Sequence, residues 1–226
     1  MTVVWVLLAL LCAAGSASAQ GADQRPVRRP EITVGGGWVG GVVLGAADAN
    51  LRANTSPPQP SRLFSANTRM AGAPTLEANV AFSFNRRWGV EGGVTKSGPD
   101  LRSSISADAE GAPATTAVER IDQYVFEGRV VVMLDELRLG QRTVPFATAG
   151  AGYLRQLHEG HTVIEEGRAF HVGGGLKYWL LARDRGLFKA AGVRFDARLY
   201  VLTSGIAFDD DPRPQGAISG SAFVAF

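Results

Sequence analysis

Residues 192–202 read Gly192-Val193-Arg194-Phe195-Asp196-Ala197-Arg198-Leu199-Tyr200-Val201-Leu202. Taken alternately, they separate into two faces. Val193, Phe195, Ala197, Leu199 and Val201 share one, and Arg194, Asp196, Arg198 and Tyr200 share the other. Successive side chains of an extended strand point to opposite sides, so this two-residue period marks a β-strand with one apolar face. A helix would scatter both sets around its circumference. The segment also lacks any residue that would stop a strand.

The same alternation recurs in both directions along the chain. Eight stretches carry it: 31–44, 69–84, 88–96, 119–134, 144–157, 168–180, 190–203 and 215–226. In 119–134, Tyr124, Phe126, Gly128, Val130, Val132 and Leu134 oppose Gln123, Glu127 and Arg129. In 69–84, Leu76, Ala78, Val80, Phe82 and Phe84 oppose Glu77, Asn79 and Ser83. In 168–180, Phe170, Val172, Leu176, Tyr178 and Leu180 oppose His171, Lys177 and Trp179. The stretch 144–157 is too rich in small residues for its faces to be assigned. No apolar stripe of helical period runs for any length. The chain reads as all-β.

Composition narrows the class further. Of 226 residues, 28 are glycine, above the usual share of about 7% and without the three-residue period of collagen. The single Cys12 excludes a disulfide scaffold and a cysteine zinc site. A formal charge of +2 gives no basic stripe for nucleic acid. No apolar run reaches the roughly 18 residues of a membrane helix.

A closed barrel accommodates eight such strands in two ways. A soluble barrel keeps its apolar face inside. A transmembrane barrel turns it out to lipid and fills the interior with polar groups. Three features favour the second. The polar face is sparse and balanced: Glu77, Glu91, Glu127 and Asp196 against Arg129, Lys177, Arg194 and Arg198. A narrow lumen requires that balance, because an unpaired buried charge is costly. The connections alternate in length at the start, with long segments at 45–68 and 97–118 around a short one at 85–87, as outer loops and periplasmic turns do. The later connections, 135–143, 158–167, 181–189 and 204–214, are of similar length to one another. Finally, the chain ends on an alternating strand closed by Phe226, which would pair with the first strand and leave no edge in lipid.

The N-terminus fits export. Residues 1–19 carry no charged side chain, run apolar from Val3 to Ala14, and end on Ala17-Ser18-Ala19, the small-x-small form of a signal-peptidase site. The expected organisation is a signal peptide over 1–19, a flexible periplasmic leader over 20–30, and a barrel over 31–226.

With these features, the chain resembles the small outer-membrane β-barrel family, of which the OmpA-type transmembrane domain is a member. The segments PFATAGAGY (145–153), FHVGGGLKYWL (170–180) and GVRFDARLYVL (192–202) are similar to that family's fifth, sixth and seventh strands. The resemblance implies an eight-stranded antiparallel up-and-down transmembrane barrel in an outer membrane. It also implies that the C-terminal strand with Phe226 is the signal read by the barrel-assembly machinery.

Little points to catalysis. His158 and His161 flank Glu159, with Glu165 and Glu166 nearby, but they read as a polar loop rather than a metal site. Asp209-Asp210-Asp211 reads as a solvated turn rather than a calcium site. His171 is followed by Val172 and Gly173, without the Ser two positions on that an outer-membrane deacylase would need. The glycine clusters lie within strand patterns, not between a strand and a helix, so no phosphate cradle is expected. Asn54-Thr55-Ser56 is a glycosylation sequon without meaning in a bacterium.

The expectation is therefore a non-enzymatic, monomeric outer-membrane barrel with no cofactor, metal or nucleic acid. Its partners would be outer-membrane lipid and the assembly machinery. Its role would be structural or surface-interacting, with a narrow passive pore as a second version. The sharpest site expectation is a lumen charge network of Glu77, Glu91, Glu127, Arg129, Lys177, Arg194, Asp196 and Arg198, acting as a salt-bridged plug whose rupture raises conductance. Interface belts would draw on Trp38, Trp88, Tyr124, Tyr153 and Tyr178, while Trp179 and Tyr200 fall on the polar face. The alternative is a soluble periplasmic, lipocalin-like barrel, which needs Phe126, Phe170 and Phe195 inside around an apolar ligand.

Overall fold

A computed structural model describes residues 30–52, 60–159, 163–183, 186–206 and 211–226. The segment 1–19, residues 20–29 of the leader, Asn54-Thr55-Ser56, His161, Asp209 and Asp210 lie outside the described residues. Twelve strands follow in chain order: β1 (Pro30–Val39), β2 (Val42–Arg52), β3 (Pro60–Met70), β4 (Ala73–Ser83), β5 (Trp88–Ser97), β6 (Asp100–Ser106), β7 (Thr115–Arg120), β8 (Asp122–Met133), β9 (Thr143–Leu157), β10 (Ile164–Ala182), β11 (Ala190–Ser204) and β12 (Arg213–Ala225). Pro30, read as leader, already belongs to β1 and pairs with Phe82.

Eight of these strands close a barrel in the order β1-β4-β5-β8-β9-β10-β11-β12, with β12 returning to β1. Every barrel pairing is antiparallel. The closing ladder runs from Glu31 opposite Ala225 to Val39 opposite Ala217. Phe226 N–H donates to the Pro30 carbonyl at 3.1 Å just beyond that ladder. Closure leaves no open edge, the condition for a sheet to cross hydrocarbon.

The long segments 45–68 and 97–118 are not loops. The ladder between β1 and β4 continues beyond a kink at Gly40-Gly41 and Ala71-Gly72 as the ladder between β2 and β3. A Cβ on Gly72 would sit 2.8 Å from the Trp38 indole nitrogen, and one on Gly41 2.9 Å from the Met70 carbonyl oxygen. Only glycine permits that approach. The ladder between β5 and β8 continues likewise, past Gly98-Pro99 and Ile121, as β6 with β7. β3 pairs with β6, so the four extensions form a second sheet ordered β2-β3-β6-β7. It repeats the order of the barrel strands it grows from and peels away from the rest of the wall.

Candidate functional site

The site is the lumen, and the strand period decides what enters it. On β11 the side chains of Arg194, Asp196, Arg198 and Tyr200 are buried, while Phe195 and Leu199 are exposed. On β8, Gln123, Val125, Glu127, Arg129 and Val131 are buried, against exposed Phe126 and Val130. β9, unassigned from sequence, turns Val144, Phe146, Thr148, Leu154 and Gln156 inward.

At mid-height the charges join into a closed ring. Arg129 Nη2 donates to Glu91 Oε1 at 2.5 Å, and Arg194 Nη1 donates to Glu91 Oε2 at 2.7 Å. Arg194 grips Asp196 with two bonds of 2.7 and 2.9 Å. Asp196 Oδ1 lies 3.9 Å from Arg198 Nε. Arg198 Nη1 and Arg129 Nη1 both donate to Glu127 Oε1, at 3.0 and 3.1 Å. The ring thus runs Arg129, Glu91, Arg194, Asp196, Arg198, Glu127 and back. It links β5 and β8 to β11 on the opposite wall. Glu77 joins through Arg198 Nη2 and through Ser219 Oγ, which donates to it at 3.0 Å. Tyr200 OH donates to Glu127 Oε2 at 3.0 Å, and His171 Nδ1 lies 3.4 Å from that same oxygen.

A second pair closes the end that carries the termini. Lys177 Nζ donates to both Glu31 oxygens at 2.6 and 2.5 Å. It lies 4.2 Å above the Phe223 ring and 4.8 Å from that of Trp179, a cation-π pocket. Small residues make room for these side chains. A Cβ on Gly150 would approach His171 Cε1 to 2.6 Å and Arg129 Cβ to 2.7 Å.

Toward the opposite mouth the lumen turns neutral and then apolar. Gln156 Nε2 donates to Gln123 Oε1 at 2.8 Å. Above this lie Val42, Leu44, Met70, Leu101 and Ile121, with Ile206 packed against them. These come from the kinked extensions, so the second sheet roofs the barrel. Cavities of about 30 Å³ flank the ring, one lined by Gln123, Val125 and Leu202 and the other by Glu31, Lys177 and Arg194. Each has room for about one water molecule.

All eight residues expected in the lumen are buried there and ion-paired. Sequence reasoning missed Glu31, His171, Tyr200 and Ser219 as their partners. Glu31 is only the second residue of β1, where alternation has downstream neighbours alone to set it. Tyr200 and His171 were readable as inward but not as members of a network. Outside the lumen, His158 Nδ1 lies 2.9 Å from Glu119 Oε1, which also accepts from the Glu159 N–H at 3.1 Å.

The outer surface settles the polarity. Phe126, Phe170 and Phe195, which a lipocalin-like interior requires inside, are 47%, 47% and 59% exposed on the outward face. The soluble reading is corrected by that inversion: water would meet a wall of Phe, Val and Leu while charges sat buried. The chain is a small eight-stranded transmembrane β-barrel. Trp38, Trp88 and Tyr153 stand on its exposed face, as interface anchors would, and Trp179 and Tyr200 point inward.

No family model and no curated protein matches the chain. Among solved structures the barrel is similar to the outer membrane protein OprG from Pseudomonas aeruginosa, at 12% identity and a TM-score of 0.43 over 90% of this chain and 99% of that one. It is similar to Ail, the attachment invasion locus protein of Yersinia pestis, at 13% identity and 0.39 over 89% and 100%. It is also similar to the outer membrane protein AlkL in DMPC lipid bilayers, at 14% identity and 0.42 over 93% and 97%. The barrel's two faces, not these distant likenesses, set its class.

Proposed function

We propose that this barrel is a non-enzymatic, monomeric anchor, sealed to ions, that holds its four-stranded sheet outside the membrane for contact with partners at the cell surface. One observation carries the reading: the charged ring crosses the lumen from β5 and β8 to β11, under an apolar roof supplied by the same sheet. An ion crossing would have to break paired charges and then desolvate in the roof, and each step is costly. A lumen so filled supports an anchor rather than a pore. β12 and Phe226 would engage the barrel-assembly machinery, since that strand makes the closing seam.

Two measurements test this. The membrane-extracted protein should migrate differently in SDS with and without boiling, because a closed ladder offers no edge to attack. In a planar bilayer the same preparation should show no ion steps. A steady conductance would replace the anchor with the narrow pore. A soluble periplasmic protein without a heat shift would remove both.

A further inference from the structure

The two ends of the barrel differ in a way the lumen does not use. Three turns close the end that carries the termini, and they repeat one composition. The first reads Phe84-Asn85-Arg86-Arg87-Trp88, the second Leu137-Arg138-Leu139-Gly140-Gln141-Arg142 after Asp135-Glu136, and the third runs from Arg183 to Gly186-Leu187-Phe188-Lys189. Their described residues include six cations, Arg86, Arg87, Arg138, Arg142, Arg183 and Lys189, against two anions, Asp135 and Glu136. Asp184 and Arg185 add one charge of each sign. The opposite end shows no such excess. There 158–167 holds three Glu with no Lys or Arg, 204–214 holds three Asp with one Arg, and 42–70 with 100–120 holds five acids and five Arg.

Charge alone would describe a solvated rim. The apolar residues do not fit one. Leu137, Leu139 and Leu187 are 62%, 62% and 74% exposed, beyond the ends of the barrel strands. Phe188 is also exposed, and its ring packs at a tilt 5.4 Å from that of Phe226. The turns hold these side chains out on ordered backbone: Asn85 Oδ1 accepts from both Arg87 and Trp88 N–H at 2.8 Å, Leu139 N–H donates to the Thr143 carbonyl at 3.2 Å, and Arg183 N–H to the Lys189 carbonyl at 2.7 Å. Arg87 lies 3.9 Å from Glu136 and Arg138 3.7 Å from Asp135. Leu and Phe beside Arg, in every turn of one end, match an interface where acyl chains meet anionic headgroups.

We propose that this end is a phospholipid-binding collar, with the turn arginines on the phosphates of anionic lipid and Leu137, Leu139, Leu187 and Phe188 in the acyl boundary. This inference rests on the transmembrane reading. It adds a lipid class, and it seats the turn end in the phospholipid leaflet facing the periplasm. A soluble anionic glycan would leave the leucines in water, so lipid is the occupant that fits both residue types.

The test uses the full barrel in vesicles of phosphatidylcholine, with and without phosphatidylglycerol, read by the temperature at which the unboiled SDS mobility is lost. A heat shift in phosphatidylcholine alone establishes the membrane barrel independently of lipid class. The parent should gain several degrees when phosphatidylglycerol is present, and lose that gain near 1 M salt, where the screening length falls to about 3 Å. The variant R86Q/R87Q/R138Q/R142Q should keep its heat shift and show no gain. R102Q/R120Q, at the other end, should respond like the parent. An equal gain in the four-arginine variant, or none in the parent, overturns the collar.

Discussion

Arg198 is the most heavily bonded cation of the lumen: Glu77, Glu127, Tyr200 and Ser219 all take hydrogen bonds from it or share them. Arg198→Ala would leave Glu77 without a cation, and Glu127 with Arg129 as its one remaining arginine partner, in a site without bulk water. Breaking a buried pair from one side costs about 3–5 kcal/mol, so denaturant unfolding should show a loss of that size. Glu77→Gln makes a useful contrast. Around the ring, with the Glu31–Lys177 pair apart and Arg213 buried separately against the Ile206 carbonyl, four acids, Glu77, Glu91, Glu127 and Asp196, face three cations, Arg129, Arg194 and Arg198, and Gln would balance those signs while keeping a bonding partner. Its cost should stay below about 1.5 kcal/mol; a larger cost than that of Arg198→Ala would refute the charge-balance account. Two glycines on opposite faces make a second contrast. A Cβ on lumen-facing Gly150 would fall 2.5 Å from the Gly128 carbonyl oxygen, whereas one on Gly128 meets nothing within 4 Å. Gly150→Val should fail to reach the heat-shifted form, and Gly128→Ala should fold as well as the parent.

At the scale of elements, β2, β3, β6 and β7 pair only with one another. Replacing 42–70 and 101–120 with tight Asn-Gly turns should therefore preserve the heat shift, since no barrel ladder is cut. Loss of that shift would show that the second sheet is needed for closure. These strands are also what sequence reading did not resolve. Alternation gave the eight barrel strands because each buries one face locally, and a face is a property of neighbours two apart. The second sheet has no continuous apolar face of that kind: β7, Thr115–Arg120, is exposed along nearly its whole length. β3 pairs with β6 across 65–70 and 101–106, a contact that no local period encodes. The kinks were hidden too, so 31–44, 69–84 and 119–134 each read as one strand where the structure breaks them at Gly40-Gly41, Ala71-Gly72 and Ile121. The ring fared better. Charges at positions i and i+2 on one face, as in Glu127 with Arg129 and Arg194 with Asp196, must meet inside a narrow lumen, and only partners contributed from distant strands stayed out of reach.

For the whole molecule, the proposed seal amounts to two barriers in series. The ring resists an ion because each charge is already matched and desolvated. The roof of Val42, Leu44, Met70, Leu101, Ile121 and Ile206 resists it because those side chains offer an ion no polar partner. In series, the larger remaining barrier sets the current, so removing one leaves the other in control. Arg129→Ala with Arg198→Ala should thus conduct little more than the parent while the hairpins stand. The trimmed barrel with its ring intact should also stay closed. Only the combination should give resolved steps in a planar bilayer. Each variant qualifies for the recording by keeping its heat shift, which separates an opened lumen from a misfolded wall. If the ring substitutions alone open the barrel, the roof is no barrier. If the combination stays silent, the ring is not a plug, and its charges serve only to satisfy one another.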